Sequence, residues 1–166
     1  MKRSVWLYAA AWGALLSVVV VLTNVIFPTP TESDDEYTGW YVALFLGLLL
    51  VFAMGGLIAS ERTRPLRSGA LGGAVTALFM LGMTMLTFAV VDNVFLDIVS
   101  QQIDKVNAFQ HQTTYTNMRD FINSGLLAGA VFVLPVAAAL GGLLGVCGVL
   151  VRRLLTPGSP LTSPGI

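Results

Sequence analysis

The chain has 166 residues, 55% of them hydrophobic and 11% charged, and its mean hydropathy is +0.79. Soluble domains carry roughly 25% charged residues, so the composition excludes an ordinary soluble domain and points to the membrane. Net charge is zero, which leaves no overall field to attract nucleic acid, and a lone cysteine, Cys147, excludes an intrachain disulfide or a thiolate metal cage built by one chain.

Four apolar runs follow one another, each without a charged residue: Val5 to Phe27, Trp40 to Ser60, Ser68 to Val91, and Phe121 to Val151. At about 1.5 Å per residue they reach about 34, 31, 36 and 46 Å, enough to cross a hydrocarbon core of about 30 Å. None alternates polar and apolar residues as barrel strands do. The expected fold is all-α, a polytopic membrane protein with four transmembrane helices in a domain over residues 1–155 and a disordered cytoplasmic tail over 156–166.

The first run, preceded by Met1-Lys2-Arg3, also resembles the opening of a signal peptide. Its apolar core is longer than the 7 to 15 residues of such a segment, and no small-x-small cleavage site follows, so an uncleaved anchor is expected. Pro28 and Pro30 end it, and Ser33 with Glu36 forms a capping-box pattern ahead of the second run. The carboxylates of Glu32, Asp34, Asp35 and Glu36 lack the spacing and glycine of a calcium loop.

The second and third runs are joined by "GGLIASERTRPLRSGALGG", residues 55 to 73, a basic turn between two glycine pairs. Its arginines complete a charge partition. In a four-span topology Lys2, Arg3, Arg62, Arg64, Arg67, Arg152 and Arg153 share one side, and only Lys105 and Arg119 lie on the other. The positive-inside rule places both termini in the cytoplasm. Beside a membrane, Arg62, Arg64, Arg67, Arg152 and Arg153 also suit anionic lipid headgroups. The turn lacks the spacing of a phosphate-cradling loop. The glycine pair, basic turn and second glycine pair resemble the pattern of small four-span prokaryotic membrane proteins, which implies a prokaryotic cytoplasmic membrane as the location.

In lipid the hydrophobic effect does not draw helices together, so small residues that allow close backbone approach mark packing faces. Gly47 and Gly55 recur on the second run, Gly69, Gly73 and Ala77 on the third, and Gly125, Gly129, Gly141 and Gly145 on the fourth. The second and third runs are expected to form a tight hairpin through these faces, with a dimerising face as the alternative. Thr23, Asn24, Thr76, Thr84 and Thr87 are the polar groups at depth and are expected to bond between helices. No charged residue lies within a span to mark an ion path.

Met80, Met83 and Met85 could offer thioethers to copper(I), but Met83 and Met85 point to different helix faces, so packing is the expectation. Trp6 and Tyr8 at one interface and Trp40 and Tyr41 at the other read as aromatic belts, with Trp12 packed between helices.

The segment 92–120 is longer than a span connection requires. Phe95, Val99, Ile103, Val106 and Phe109 form an apolar stripe at helical spacing, so the third helix is expected to continue outside the membrane to about Gln110. This small extracytoplasmic helical extension is a candidate partner contact; the alternative is packing on the membrane surface or on the fourth helix. Asn117 with Asp120 can start that helix, and Pro135 should kink it. His111, the only histidine, is expected to be a solvated loop residue.

No residue pattern supports a catalytic or metal site or a cofactor. The sequence reads as a non-enzymatic protein acting through helix and extracytoplasmic contacts, an accessory or assembly subunit of a larger membrane complex. Its expected partners are membrane lipid and other membrane proteins or a second copy. The alternative is an oligomeric pore or carrier for an uncharged or lipid-like solute.

Overall fold

The computed structural model describes residues 3–26, 38–60 and 66–155, without side chains for 38–41, 103, 104 and 155. The capping pattern at Ser33, the arginines Arg62 and Arg64 and the tail fall outside what is described, as do the side chains of the belt residues Trp40 and Tyr41. Helix accounts for 91% of the described residues, and no strand occurs among them. The helices are α1 (Arg3–Val21), α2 (Thr38–Ala59), α3 (Leu66–Val94), α4 (Leu96–Val99), α5 (Ile103–Gln110) and α6 (Met118–Leu155). The apolar stretches Arg3–Ile26, Val42–Ala59, Leu66–Val94 and Met118–Leu154 are long and apolar enough to cross a membrane.

A π-helical turn, Leu22–Ile26, ends the first of these. The Thr23 hydroxyl donates to the Val19 carbonyl at 2.9 Å and the Asn24 amide to that of Val20 at 2.9 Å. Those are the carbonyls that the backbone N–H groups of residues 23 and 24 would take in a continuing α-helix. Side chains competing for them favour the wider turn.

α3 is the hub. It packs along α1, α2 and α6, most extensively on α6, whereas α1 makes little contact with α2. Gly13 faces Met80 and Met83, Ser17 pairs with Thr87, and Val20 clusters with Val91, so α1 runs parallel to α3. Gly69 lies at Gly145 and Asn93 at Asn123, so α6 runs antiparallel to both. α2 runs with α6, and its end is tied there by Arg152, whose guanidinium donates to the Ser60 carbonyl at 3.4 Å. A cationic donor on the last carbonyls of a helix is electrostatically favourable.

The face of Gly69, Gly73 and Ala77, expected against α2, packs on α6. A Cβ placed on Gly141 would stand 2.6 Å from the Gly73 carbonyl oxygen and 2.8 Å from the Ala77 Cβ. α2 instead uses the neighbouring face of α3, where Gly72 lies against Ala59 and the Gly55 carbonyl, and Thr76 fills the space at Gly55. Rotation by one residue moves a side chain about 100° around a helix, so Gly72 and Gly73 serve two different partners.

α6 is 38 residues long, about 57 Å, and contains Pro135. Its start is capped: the Asn117 side-chain oxygen accepts from the Asp120 N–H at 2.8 Å, and the Asn117 amide donates to the Asp120 carboxylate at 2.6 Å.

The third helix does not continue to Gln110. α3 stops at Val94, Phe95 leaves helical geometry with φ −111° and ψ 35°, and α4 and α5 follow as separate short helices. The physical reason lies in Lys105 and Asp92. Thirteen residues apart on a straight helix they would be about 20 Å apart; the broken chain brings Lys105 Nζ to 2.9 Å from the Asp92 carboxylate.

Leucine at position 73 would have to displace the Gly141 carbonyl, whereas Gly82 has nothing within 4 Å. Gly73→Leu should therefore destabilise the purified protein in mild detergent by about 1 to 3 kcal/mol, and Gly82→Leu by less than about 0.5 kcal/mol. Thermal unfolding monitored by circular dichroism measures both; equal losses would contradict the α3–α6 contact.

Candidate functional site

Two regions hold the residues singled out by sequence. The first is the glycine node at the end of the bundle where α2 and α6 finish. Gly145 is its centre, meeting Gly56 of α2 on one side and Gly69 and Gly73 of α3 on the other. Gly69 also faces a Val149 methyl, and Gly148 faces the Ala53 carbonyl, 2.7 Å from where a Cβ would be. Backbone carbonyls therefore lie against glycines with no side chain between them. Phe52, Ala77, Met80 and Ala137 continue the core from this node, with Trp12 and Leu16 of α1 packed on its edge.

Three of the glycines expected on packing faces are not brought together with another helix in this way. Gly47 and Gly125 have nothing within 4 Å, and Gly129 only the Met85 methyl at 3.9 Å. Conversely, Gly13, Gly56, Gly72 and Gly148 pack closely, although sequence reasoning did not select them. A signal was present: Gly141, Gly145 and Gly148 continue one face at spacings of four and three.

The second region is the opposite end, where α1 finishes and α6 begins. Val20, Val91, Val99 and Ile122 form its apolar centre. Val99 is 0% exposed there, so the stripe expected to meet a partner turns onto its own bundle. Val106 is partly buried, Phe109 packs against Phe121 with ring centroids 5.6 Å apart and planes tilted by 55°, and Phe95 is 37% exposed beside the bend. The Ile103 side chain is outside the described residues.

Around this centre lies a polar rim. Asp92 is 3% exposed and pairs with Lys105, itself 21% exposed. Asn93 of α3 and Asn123 of α6 exchange side-chain hydrogen bonds at 2.8 and 3.1 Å. Gln102 reaches the Asn24 side chain at 3.4 Å, and Arg119 the Asn93 carbonyl at 3.5 Å. An open cleft of about 500 Å³ sits in the rim, lined in part by Asn93, Val94, Asp97 and Arg119. Asp92 was missed as a buried group because it lies just past an apolar run, where sequence alone suggests water.

Among the described basic residues, Arg3, Arg67, Arg152 and Arg153 are exposed at the glycine-node end, and Lys105 and Arg119 lie at the other. Of the threonines expected to bond between helices, Thr87 donates across to Ser17 of α1 at 2.8 Å, whereas Thr76 and Thr84 donate to the Gly72 and Met80 carbonyls of their own helix. This corrects the expectation of a set of interhelical bonds. A hydroxyl in lipid can be satisfied by the i−4 carbonyl and needs no partner helix. The methionines diverge: Met80 is buried in the core, Met83 lies against Gly13, and Met85 approaches Gly129. Tyr8 is not confined to a belt, since its hydroxyl donates to the Val51 carbonyl of α2 at 3.3 Å. His111 Nδ1 lies 2.7 Å from the Asn107 carbonyl. Among the described residues no three His, Cys, Asp or Glu side chains come together as a metal site.

Lys105→Met would strand the Asp92 carboxylate in a buried position, so it should cost about 3 kcal/mol. Asp92→Asn should cost less, because the released Lys105 can turn to water, and the double substitution should recover most of the Lys105→Met loss. Unfolding of all three variants in detergent checks this; equal losses from the two single changes would mean that the carboxylate is not the desolvated member. No family model, curated protein or solved structure matches this chain.

Proposed function

We propose that the protein is a non-enzymatic accessory or assembly subunit of a larger complex in a prokaryotic cytoplasmic membrane. Both termini are cytoplasmic in this reading, and α4 and α5 lie on the extracytoplasmic side. Its contacts are made within the bilayer by helix faces and beyond it by the polar rim.

One observation carries this reading. Val42, Ala43, Leu44, Phe45, Leu46 and Gly47 of α2 are all exposed, six consecutive residues covering every side of the helix. The second half of α2 is held by the glycine node, with Val51, Phe52, Gly55, Gly56 and Ala59 buried. An anchored helix with a free apolar half can receive another helix while its own fold stays intact, and the open Gly47 and Ala43 would permit close approach. Transport draws less support, because the hydroxyls at depth are largely satisfied by carbonyls of their own helices.

The tagged protein, extracted from its native membrane in mild detergent, should bring down a larger membrane protein in stoichiometric yield. Leu46→Arg should reduce that yield severalfold without lowering the level of the protein. Recovery of a homo-oligomer alone would favour the pore or carrier reading. Topology is checked with single cysteines in a Cys147→Ser background: His111→Cys should react with an impermeant maleimide in intact cells, and Ser159→Cys only after lysis.

A further inference from the structure

The open cleft at the rim has two walls of opposite charge. Asp97, in α4, and Arg119, in the first turn of α6, both line it and both are exposed. They are not joined to each other: among the described residues the ion pair is that of Lys105 with Asp92, and Arg119 makes only its long bond to the Asn93 carbonyl. The nearby Asp120 carboxylate is engaged by Asn117 in the helix cap and does not line the cleft.

Val94 also lines the cleft and is 65% exposed. Below it on the same face of α3 stand Val90, 58% exposed, and Leu86, 68% exposed. Spaced four residues apart, the three make an apolar stripe that runs about 12 Å along the helix from the cleft toward the bilayer interior.

A separated cation and anion at the membrane surface, continuous with an apolar track, match one chemical class. The geometry points to a binding site for a phospholipid whose headgroup carries a primary ammonium, such as phosphatidylethanolamine. Arg119 takes the phosphate, where a guanidinium offers paired N–H donors. Asp97 accepts hydrogen bonds from the ammonium, and an acyl chain lies along Val94, Val90 and Leu86. Met118 and Leu96 close the apolar side of the cleft around the glycerol region. Phosphatidylcholine presents the same phosphate, but its methylated ammonium has no N–H to give, so the Asp97 wall separates the two lipids.

The full-length protein is reconstituted in nanodiscs of equal phosphatidylethanolamine and phosphatidylcholine, released into detergent, and its retained lipid counted by native mass spectrometry. The wild type should retain phosphatidylethanolamine about fivefold over phosphatidylcholine, the worth of one net hydrogen bond to the Asp97 carboxylate. Arg119→Gln should lower retention of both lipids, and Asp97→Ala, which leaves no acceptor on that wall, should remove the preference. Retention of both lipids in equal amounts by the wild type would overturn the site, as would a preference that survives Asp97→Ala. A measurement on the wild type alone stands beside these, using phosphatidylethanolamine with a diazirine at the glycerol end of an acyl chain, which leaves its ammonium free. Photolabel concentrated on Leu96 and Met118 is the expected result, and label spread evenly over the chain's lipid-facing residues overturns the proposal. Glycerophosphoethanolamine, which lacks the acyl chains, should not compete at millimolar concentration; competition would assign the cleft to a soluble phosphate ester instead.

Discussion

The contact on which the rest of the structure depends is backbone against backbone between α3 and α6, with the Gly73 carbonyl at Gly141 and the Gly69 carbonyl at Gly145. Lipid tails solvate leucine as well as another leucine does, so apolar side chains alone give helices little reason to leave lipid for one another. Dispersion between closely packed surfaces does, and it grows when no side chain holds the backbones apart. Because Gly145 also receives Gly56, one residue without a side chain fixes two interfaces, and α2 is positioned by the same contact that joins α3 to α6.

The two ends of the bundle use different physics. At the node packing is close, and Arg152 adds a polar tie to the Ser60 carbonyl. At the other end side chains take over: a valine and isoleucine centre, the Asp92–Lys105 pair and the Asn93–Asn123 exchange. Between them, from Leu81 to Val90, α3 has no fully buried residue. Residues 42–47 of α2 are exposed all round. A segment with few buried contacts opens locally at low cost.

The buried ion pair shapes the rim more than it stabilises it. A carboxylate 3% exposed is costly unless matched, and Lys105 reaches it only because the chain breaks at Phe95 and folds back. That same fold-back brings Val99 into the apolar centre and sets α4 beside the start of α6, which makes the cleft between Asp97 and Arg119. One electrostatic requirement therefore places a hydrophobic plug and a charged cleft together.

Local signals in the sequence determined the all-helical class, the four apolar helices and the start of α6. Each depends on run length, period or a cap such as Asn117 with Asp120, and these act within one helix. They did not determine which small residues would touch. The spacing of Gly47 or Gly125 looks like that of Gly73 or Gly145, yet the first two face open space and the others carry the fold. The difference lies in how each helix is rotated about its axis and where its partner crosses, and no residue within that helix encodes either. The same holds for Asp92 and Val99. A carboxylate at the end of an apolar run reads as solvated, and a valine in a stripe reads as exposed, until a distant lysine and three other helices close over them. The tertiary structure alone decided those, because burial belongs to what surrounds a residue and not to the residue itself.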